Sequence, residues 1–202
     1  MYQLYFNPPK SSWSLRVWVL LKELNIPFEP KIVRYLADLN EQRQQFKTFS
    51  PTSKIPVLHA DGLVIWDSLA IIEFLAERYP QVWAEDKIAR AWSRSACAEM
   101  HSGFEHLREM CDFAPLDHKP LQDVPTVLSQ ELARLNQLLE EGLTRFGGRF
   151  LAGDHFTAVD AFFLPVMARI ETYALHQHFS PQVLAYQKML VNSVSFKAWL
   201  TL

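Results

Sequence analysis

SPTSKIPVLHADGLVIWDSLAIIEFLAERYP, residues 50–80, decides the fold. IPVLHA (55–60) and LVIW (63–66) are short apolar runs joined by Asp61-Gly62, a dipeptide that suits the two-residue turn of a β-hairpin. The period then changes. In DSLAIIEFLAERYP (67–80), Leu69, Ile72, Leu75, Ala76 and Tyr79 recur at helical spacing behind Asp67 and Ser68, and Pro80 closes the segment. A hairpin running straight into a helix is therefore expected.

Upstream, YQLYF (2–6) reads as a strand, and SLRVWVLLKELN (14–25) as a helix apolar on nearly all faces, hence buried. Asn25-Ile26-Pro27 breaks it, FEPKIV (28–33) reads as a strand, and DLNEQRQQFKTF (38–49) as a polar helix or irregular turn. The expected order is strand, helix, strand, helix, strand, strand, helix.

Beyond Asp86 the strand signals disappear. Helices are expected in DKIARAWSRSACAEMHSGFEHLREM (86–110), PTVLSQELARLNQLLEEGLTRF (125–146) and TAVDAFFLPVMARIETYAL (157–175), with two short helical pieces near the C-terminus. PQVWAE (80–85) reads as a linker and CDFAPLDHKPLQDVP (111–125) as a loop. The expected organisation is an α/β domain over 1–80 and an all-α domain over 86–202.

With 202 residues, 49% of them hydrophobic, the chain can bury a substantial core. Twenty basic and 22 acidic residues, with a formal charge of −2, give neither the basic footprint of a nucleic-acid binder nor an acidic tail. No apolar run is long enough to span a bilayer, and a cytoplasmic location is the default expectation. On one continuous helix, Cys97 and Cys111 would lie about 21 Å apart, beyond disulfide reach, so both read as reduced structural thiols. The seven histidines show no spacing that converges on one helix face, and no metal site is expected. No CxxC occurs in the first half, so disulfide exchange of the thioredoxin kind lacks its nucleophile.

Three motifs carry a family resemblance. SSWSLRV (11–17), SPTSKIPVL (50–58) and WDSLAIIEFLAERYP (66–80) resemble segments of the cytosolic glutathione transferases, the first in the manner of the zeta class. FLAGDHFTAVDAFF (150–163) resembles the Gly and Thr-x-x-Asp folding motif of the same family. Read on its own, this last segment predicts a capping box in which Thr157 caps a helix and Asp160 reaches back to the Thr157 N–H. The resemblance implies a thioredoxin-like glutathione-binding domain with a mixed four-stranded sheet, an all-helical second domain, a homodimer and a bacterial-type transferase. Two residues depart from the zeta pattern: Trp13 stands where cysteine is usual, and Leu15 replaces the tryptophan before Arg16.

Glutathione chemistry needs the tripeptide held and its thiol ionised, because the thiolate is the nucleophile. The resemblance implies a cis Pro56, with Ile55 presenting its backbone N–H and C=O to the cysteinyl part, as an added strand would. At the start of the third helix, Asp67 and Ser68 would take the γ-glutamyl α-amino and carboxylate groups, because free N–H groups there attract an anion; helix capping alone is the plainer role for either residue. Lys54 either meets the glycyl carboxylate or is a solvated lysine.

Lowering a thiol pKa from about 8.5 by about 2 units takes roughly 2.7 kcal/mol of preference for the thiolate. One hydrogen bond to a charged group supplies about 1.5 to 3 kcal/mol and a helix N-terminus about 0.3 to 1. A single hydroxyl at the head of the first helix is therefore enough. By position Ser11 matches the zeta catalytic serine, Ser12 can share or replace it, and Ser14 is expected to cap the helix. Trp13, Met100, Phe104 and Arg108 are candidates to line the electrophile pocket, the last three being equally readable as ordinary core and surface. The expected activity is glutathione transfer to a small electrophile, with glutathione-dependent peroxide reduction and maleylacetoacetate-type isomerisation as variants. A binding or regulatory protein without turnover is the rival from another class.

Overall fold

The computed structural model describes residues 1–202. Strand β1 (Tyr2–Phe6) leads through α1 (Ser12–Glu23) to β2 (Phe28–Ile32), which lies parallel to β1. Helix α2 (Leu39–Lys47) follows, then the hairpin of β3 (Val57–Ala60) and β4 (Leu63–Trp66), and α3 (Ser68–Ala76). The sheet has the order β2-β1-β3-β4, with β1–β3 and β3–β4 antiparallel. Asp61 and Gly62 both take positive φ, 53° and 84°, as a two-residue turn that matches strand twist requires. This is the thioredoxin-like arrangement of a parallel β-α-β unit followed by a hairpin and a helix.

The rest of the chain is helical: α4 (Lys87–Ser102), α5 (Glu105–Met110), α6 (Thr126–Arg145), α7 (Ala158–Thr172), α8 (Pro181–Val191) and α9 (Val194–Leu200). Helix α7 is the hub, packing on α1, α4 and α8. Both α1 and α7 are apolar on nearly all faces because each is covered on nearly all faces: residues 14–21 of α1 and all of α7 except Glu171 are buried. No helix is long and apolar enough to cross a membrane.

The structure departs from the sequence expectations in three places. Ser11, not Ser14, caps α1: its backbone is extended (φ −98°, ψ 103°), the helix starts at Ser12, and the Ser11 Oγ accepts the Ser14 N–H. The helix expected over 86–110 is broken at Gly103, and Phe104 takes a left-handed φ of 57° before α5. Cys97 and Cys111 therefore do not share a helix, so the distance argument from helical rise does not apply; both are nevertheless free and buried, and burial raises both thiols, Cys111 to about 11. Finally, the segment after Pro80 is packed into the protein, with Val82, Trp83 and Ala84 buried.

The loop over 111–125 has no regular structure and is tied to α7 from several sides. Arg169 Nε donates to the Cys111 carbonyl at 2.8 Å, the Thr172 hydroxyl to that of Ala114 at 3.2 Å, and the Lys119 N–H to that of Thr172 at 2.7 Å. The capping box forms, with the Asp160 carboxylate accepting the Thr157 N–H at 2.9 Å. The same carboxylate also accepts the Leu151 N–H at 3.0 Å and the Tyr186 hydroxyl at 2.8 Å. It is thus the hub joining the loop before α7 to α8.

Candidate functional site

Two loops and the first turn of α1 meet, with His101 of α4, in one cleft of about 460 Å³. The first carries Thr52, Lys54, Ile55 and Pro56. Buried Ser50 fixes its shape: its Oγ donates to the Lys54 carbonyl at 2.7 Å and accepts the Lys54 N–H at 3.2 Å. The Ile55–Pro56 bond is cis, and neither the Ile55 N–H nor its C=O makes a backbone hydrogen bond. A peptide-like ligand can therefore pair with Ile55 in the manner of an added strand.

The second loop joins β4 to α3 and supplies Trp66, Asp67 and Ser68. Asp67 sits at φ 73° as the N-cap of α3; its Oδ1 accepts the N–H groups of Leu69 at 2.9 Å and Ala70 at 3.4 Å. Its other oxygen, Oδ2, lies 3.1 Å from His101 Nε2. The Ser68 hydroxyl is buried and has no partner within the chain. This end of α3 combines a carboxylate with a helix N-terminus, so it suits a group carrying both an ammonium and a carboxylate.

The third contribution is Trp13 in the first turn of α1. Its ring is held from several sides: the Arg16 guanidinium is 4.1 Å from the centroid, that of Arg108 is 5.7 Å away, and His101 meets it edge-on at 5.1 Å. Arg16 is buried between the Trp13 and Phe162 rings and donates from Nε to the Phe162 carbonyl at 3.2 Å, and burial lowers its pKa to about 9. Arg108 donates to the Met100 carbonyl at 3.0 Å.

Lys54, Ile55, Pro56, Asp67, Ser68 and Trp13 thus share one cleft. Ser11 and Ser12 do not line it; they immediately precede Trp13, and Pro9 and Lys10 before them line a second cavity of about 470 Å³ with the loop from Asp112 to Asp117. Ser12 is half-buried, whereas Ser11 is buried under its capping bond. Met100 and Phe104 stand apart from the cleft: both are buried in the core, because the break at Gly103 turns Phe104 inward. Of the candidates beyond Pro80, Arg108 alone reaches toward the cleft, through its contact with Trp13.

Thr52, Trp66 and His101 also line the cleft, without a role in the sequence reading. Trp66 carried a signal, a large aromatic at the end of a strand whose ring is half exposed. His101 carried none, since its place beside Asp67 comes from the packing of α4 on α3, which no local spacing records.

Residues 10–78 match the family described as glutathione S-transferase, N-terminal domain. The chain is 29% identical to a probable maleylacetoacetate isomerase of Caenorhabditis elegans over 93% of its own length and 86% of that protein's. It is 25% identical to the maleylacetoacetate isomerase of Rattus norvegicus over 92% and 85%. Among solved structures, it superposes on a glutathione transferase homolog from Burkholderia with bound glutathione at a TM-score of 0.71 and 24% identity, covering 99% of this chain and 96% of the other. Poplar glutathione transferase F1 gives 0.73 at 20% identity, covering 99% and 96%.

Proposed function

We propose that the chain, whose residues 10–78 match the glutathione S-transferase N-terminal domain and whose fold is that of the glutathione transferases, is an enzyme of the glutathione transferase superfamily in which α1 serines ionise the thiol of bound glutathione for attack on a small electrophile. The observation that carries this reading is the convergence of Lys54, Ile55, Asp67 and Ser68 on one cleft that begins at the residue after Ser12. The γ-glutamyl end lies at Asp67 and Ser68, the cysteinyl backbone pairs with Ile55 beside Pro56, and the glycyl carboxylate meets Lys54. Residues 1–80 form the glutathione-binding domain and 86–202 the helical domain.

Ser11 is the first choice for the hydroxyl that touches sulfur. Its oxygen accepts the Ser14 N–H, which leaves its O–H free to donate to a thiolate. Ser12, more exposed, is the neighbour able to replace it. Such a bond to a charged sulfur, about 1.5 to 3 kcal/mol, matches the preference needed to ionise the thiol at neutral pH. The thiolate then forms a C–S bond with the electrophile, which enters between the two domains beside Trp13 and Arg108, and the displaced electron pair leaves on the electrophile's leaving group. No metal is invoked.

A second reading within the same site has support from the relatives named as maleylacetoacetate isomerases, which span most of the chain. There the thiolate adds to a cis double bond, the adduct rotates about the resulting single bond, and elimination restores both the thiolate and a trans product. A homodimer in the cytoplasm is the assembly and location that accompany these readings. Calorimetric titration with glutathione, followed by assays with an aryl halide, a hydroperoxide and a cis-enone dicarboxylate, tests them. Saturable binding and turnover of at least one substrate are expected; binding without turnover of any would favour the non-catalytic alternative.

A further inference from the structure

Trp13, the residue after Ser12, lines the glutathione cleft and has two guanidinium groups against its ring. That of Arg16 lies 4.1 Å from the ring centroid and that of Arg108 lies 5.7 Å from it. Arg16 of α1 is 2% exposed; it also lies 4.6 Å from the Phe162 ring, and its Nη1 is buried without a partner in the chain. Arg108 of α5 is half-buried. Their hydrogen bonds go to the backbone carbonyls of Phe162 and Met100, and neither forms an ion pair with a carboxylate. Withdrawing a guanidinium from water without an anion is unfavourable, and burial lowers the pKa of both, that of Arg16 to about 9, which leaves it charged at neutral pH. The further charges that bear on Arg16 are the cation Arg169 and the anion Asp67, and burial keeps the Cys97 thiol beside it protonated. Those that bear on Arg108 are Glu131, which accepts the His106 and Leu107 N–H groups, and exposed Glu105. None of these carboxylates touches either guanidinium, so the two positive charges behind Trp13 are the nearest to its ring.

We propose that Arg16 and Arg108 form an electropositive wall behind Trp13 that favours the thiolate over the thiol of bound glutathione, adding a field to the hydrogen bond of the α1 serine. The inference rests on the proposed placement of the thiol at the head of α1. The step is a deprotonation in which the S–H proton passes to solvent and the electron pair stays on sulfur as a negative charge. A carboxylate on either arginine would cancel the field, whereas the Trp13 ring keeps the guanidinium groups out of the cleft without neutralising them. Between buried charges the effective dielectric is well below that of water, so a cation on the far side of one ring still acts on an anion in the cleft. Trp13 thereby has a use at a position where the zeta pattern places cysteine, and Arg108 brings the helical half into activation of the ligand.

The test titrates the ultraviolet thiolate absorbance of bound glutathione in wild type, Arg16→Met, Arg108→Met and Arg108→Lys. Calorimetry with S-methylglutathione, which has no thiol, shows separately that each variant keeps the binding site. Removing one unit charge about 10 Å from sulfur is expected to raise the thiol pKa by about 1 unit in Arg16→Met, and by about half a unit in Arg108→Met, where solvent screens more. Arg108→Lys keeps the charge and is expected to titrate with the wild type. Arg108→Met alters a half-buried side chain and decides the matter by itself should Arg16→Met not fold. A purely structural role for the arginines would lower unfolding midpoints and leave the thiol where it is in wild type. An unmoved thiol in Arg108→Met, or an equal rise in Arg108→Met and Arg108→Lys, overturns the wall. A wild-type thiol that titrates near the free value of about 8.5 instead overturns the reading of glutathione activation, and this inference with it.

Discussion

The Ser11 hydroxyl accepts the backbone N–H of Ser14 at 3.2 Å, and this one bond sets where α1 begins. It gives the two serines opposite energetic roles. Ser11→Ala removes a cap and is expected to cost about 1 kcal/mol of stability. The Ser14 hydroxyl is fully buried without a partner, so Ser14→Ala is expected to be neutral or to stabilise by up to about 1 kcal/mol. Urea unfolding of both variants checks the contrast; a larger loss for Ser14→Ala would return the cap to Ser14.

Ser68 separates binding from stability. Its hydroxyl is buried and unpaired in the free chain, so Ser68→Ala should leave the unfolding midpoint unchanged or slightly raised. The same variant should weaken glutathione binding about tenfold, because the γ-glutamyl carboxylate loses a hydrogen-bond donor. Unchanged affinity would contradict the assignment of that carboxylate to α3.

Asp160 predicts a pH signature. Burial pushes its carboxyl from 3.8 up to about 6, against the opposing pull of hydrogen bonds from Leu151, Thr157 and Tyr186. Between those two values the folded chain holds a proton that the unfolded chain releases. This group's contribution is therefore full below about pH 4 and is lost as the pH rises through about 6. Relative to Asp160→Asn, the wild type should lose about 2 kcal/mol of stability from pH 4 to pH 7. Asp160→Ala strands the Leu151 and Thr157 N–H groups and the Tyr186 hydroxyl, and should cost at least about 3 kcal/mol. Denaturant midpoints of the three proteins across pH test both statements.

What was legible in the sequence was local. The hairpin at Asp61-Gly62, the helix starting at Ser68 and the Thr157–Asp160 box each rest on residues a few positions apart, and each is present in the structure. The break between α4 and α5 was hidden because a lone glycine inside a helical pattern costs only about 1 kcal/mol and Phe104 carries no turn signal. Three serines in four positions are all competent caps, and choosing Ser11 requires knowing where the turn over Pro8 to Lys10 ends. The pairing of His101 with Asp67, and of Asp160 with Tyr186, spans 34 and 26 residues and is set by helix packing. The cleft residues that motif spacing did identify sit at element ends, where capping and turn chemistry leave a mark.

Whether a serine at the head of α1 ionises glutathione is decided by titrating the ultraviolet thiolate absorbance of bound glutathione in wild type, Ser11→Ala and Ser12→Ala. The wild-type thiol is expected to titrate about 2 units below the free value of about 8.5, returning toward that value in Ser11→Ala and staying low in Ser12→Ala. A low value lost only in Ser12→Ala would transfer the role to the neighbouring hydroxyl. A wild-type pKa near the free value, or a low one kept in both variants, would contradict serine activation.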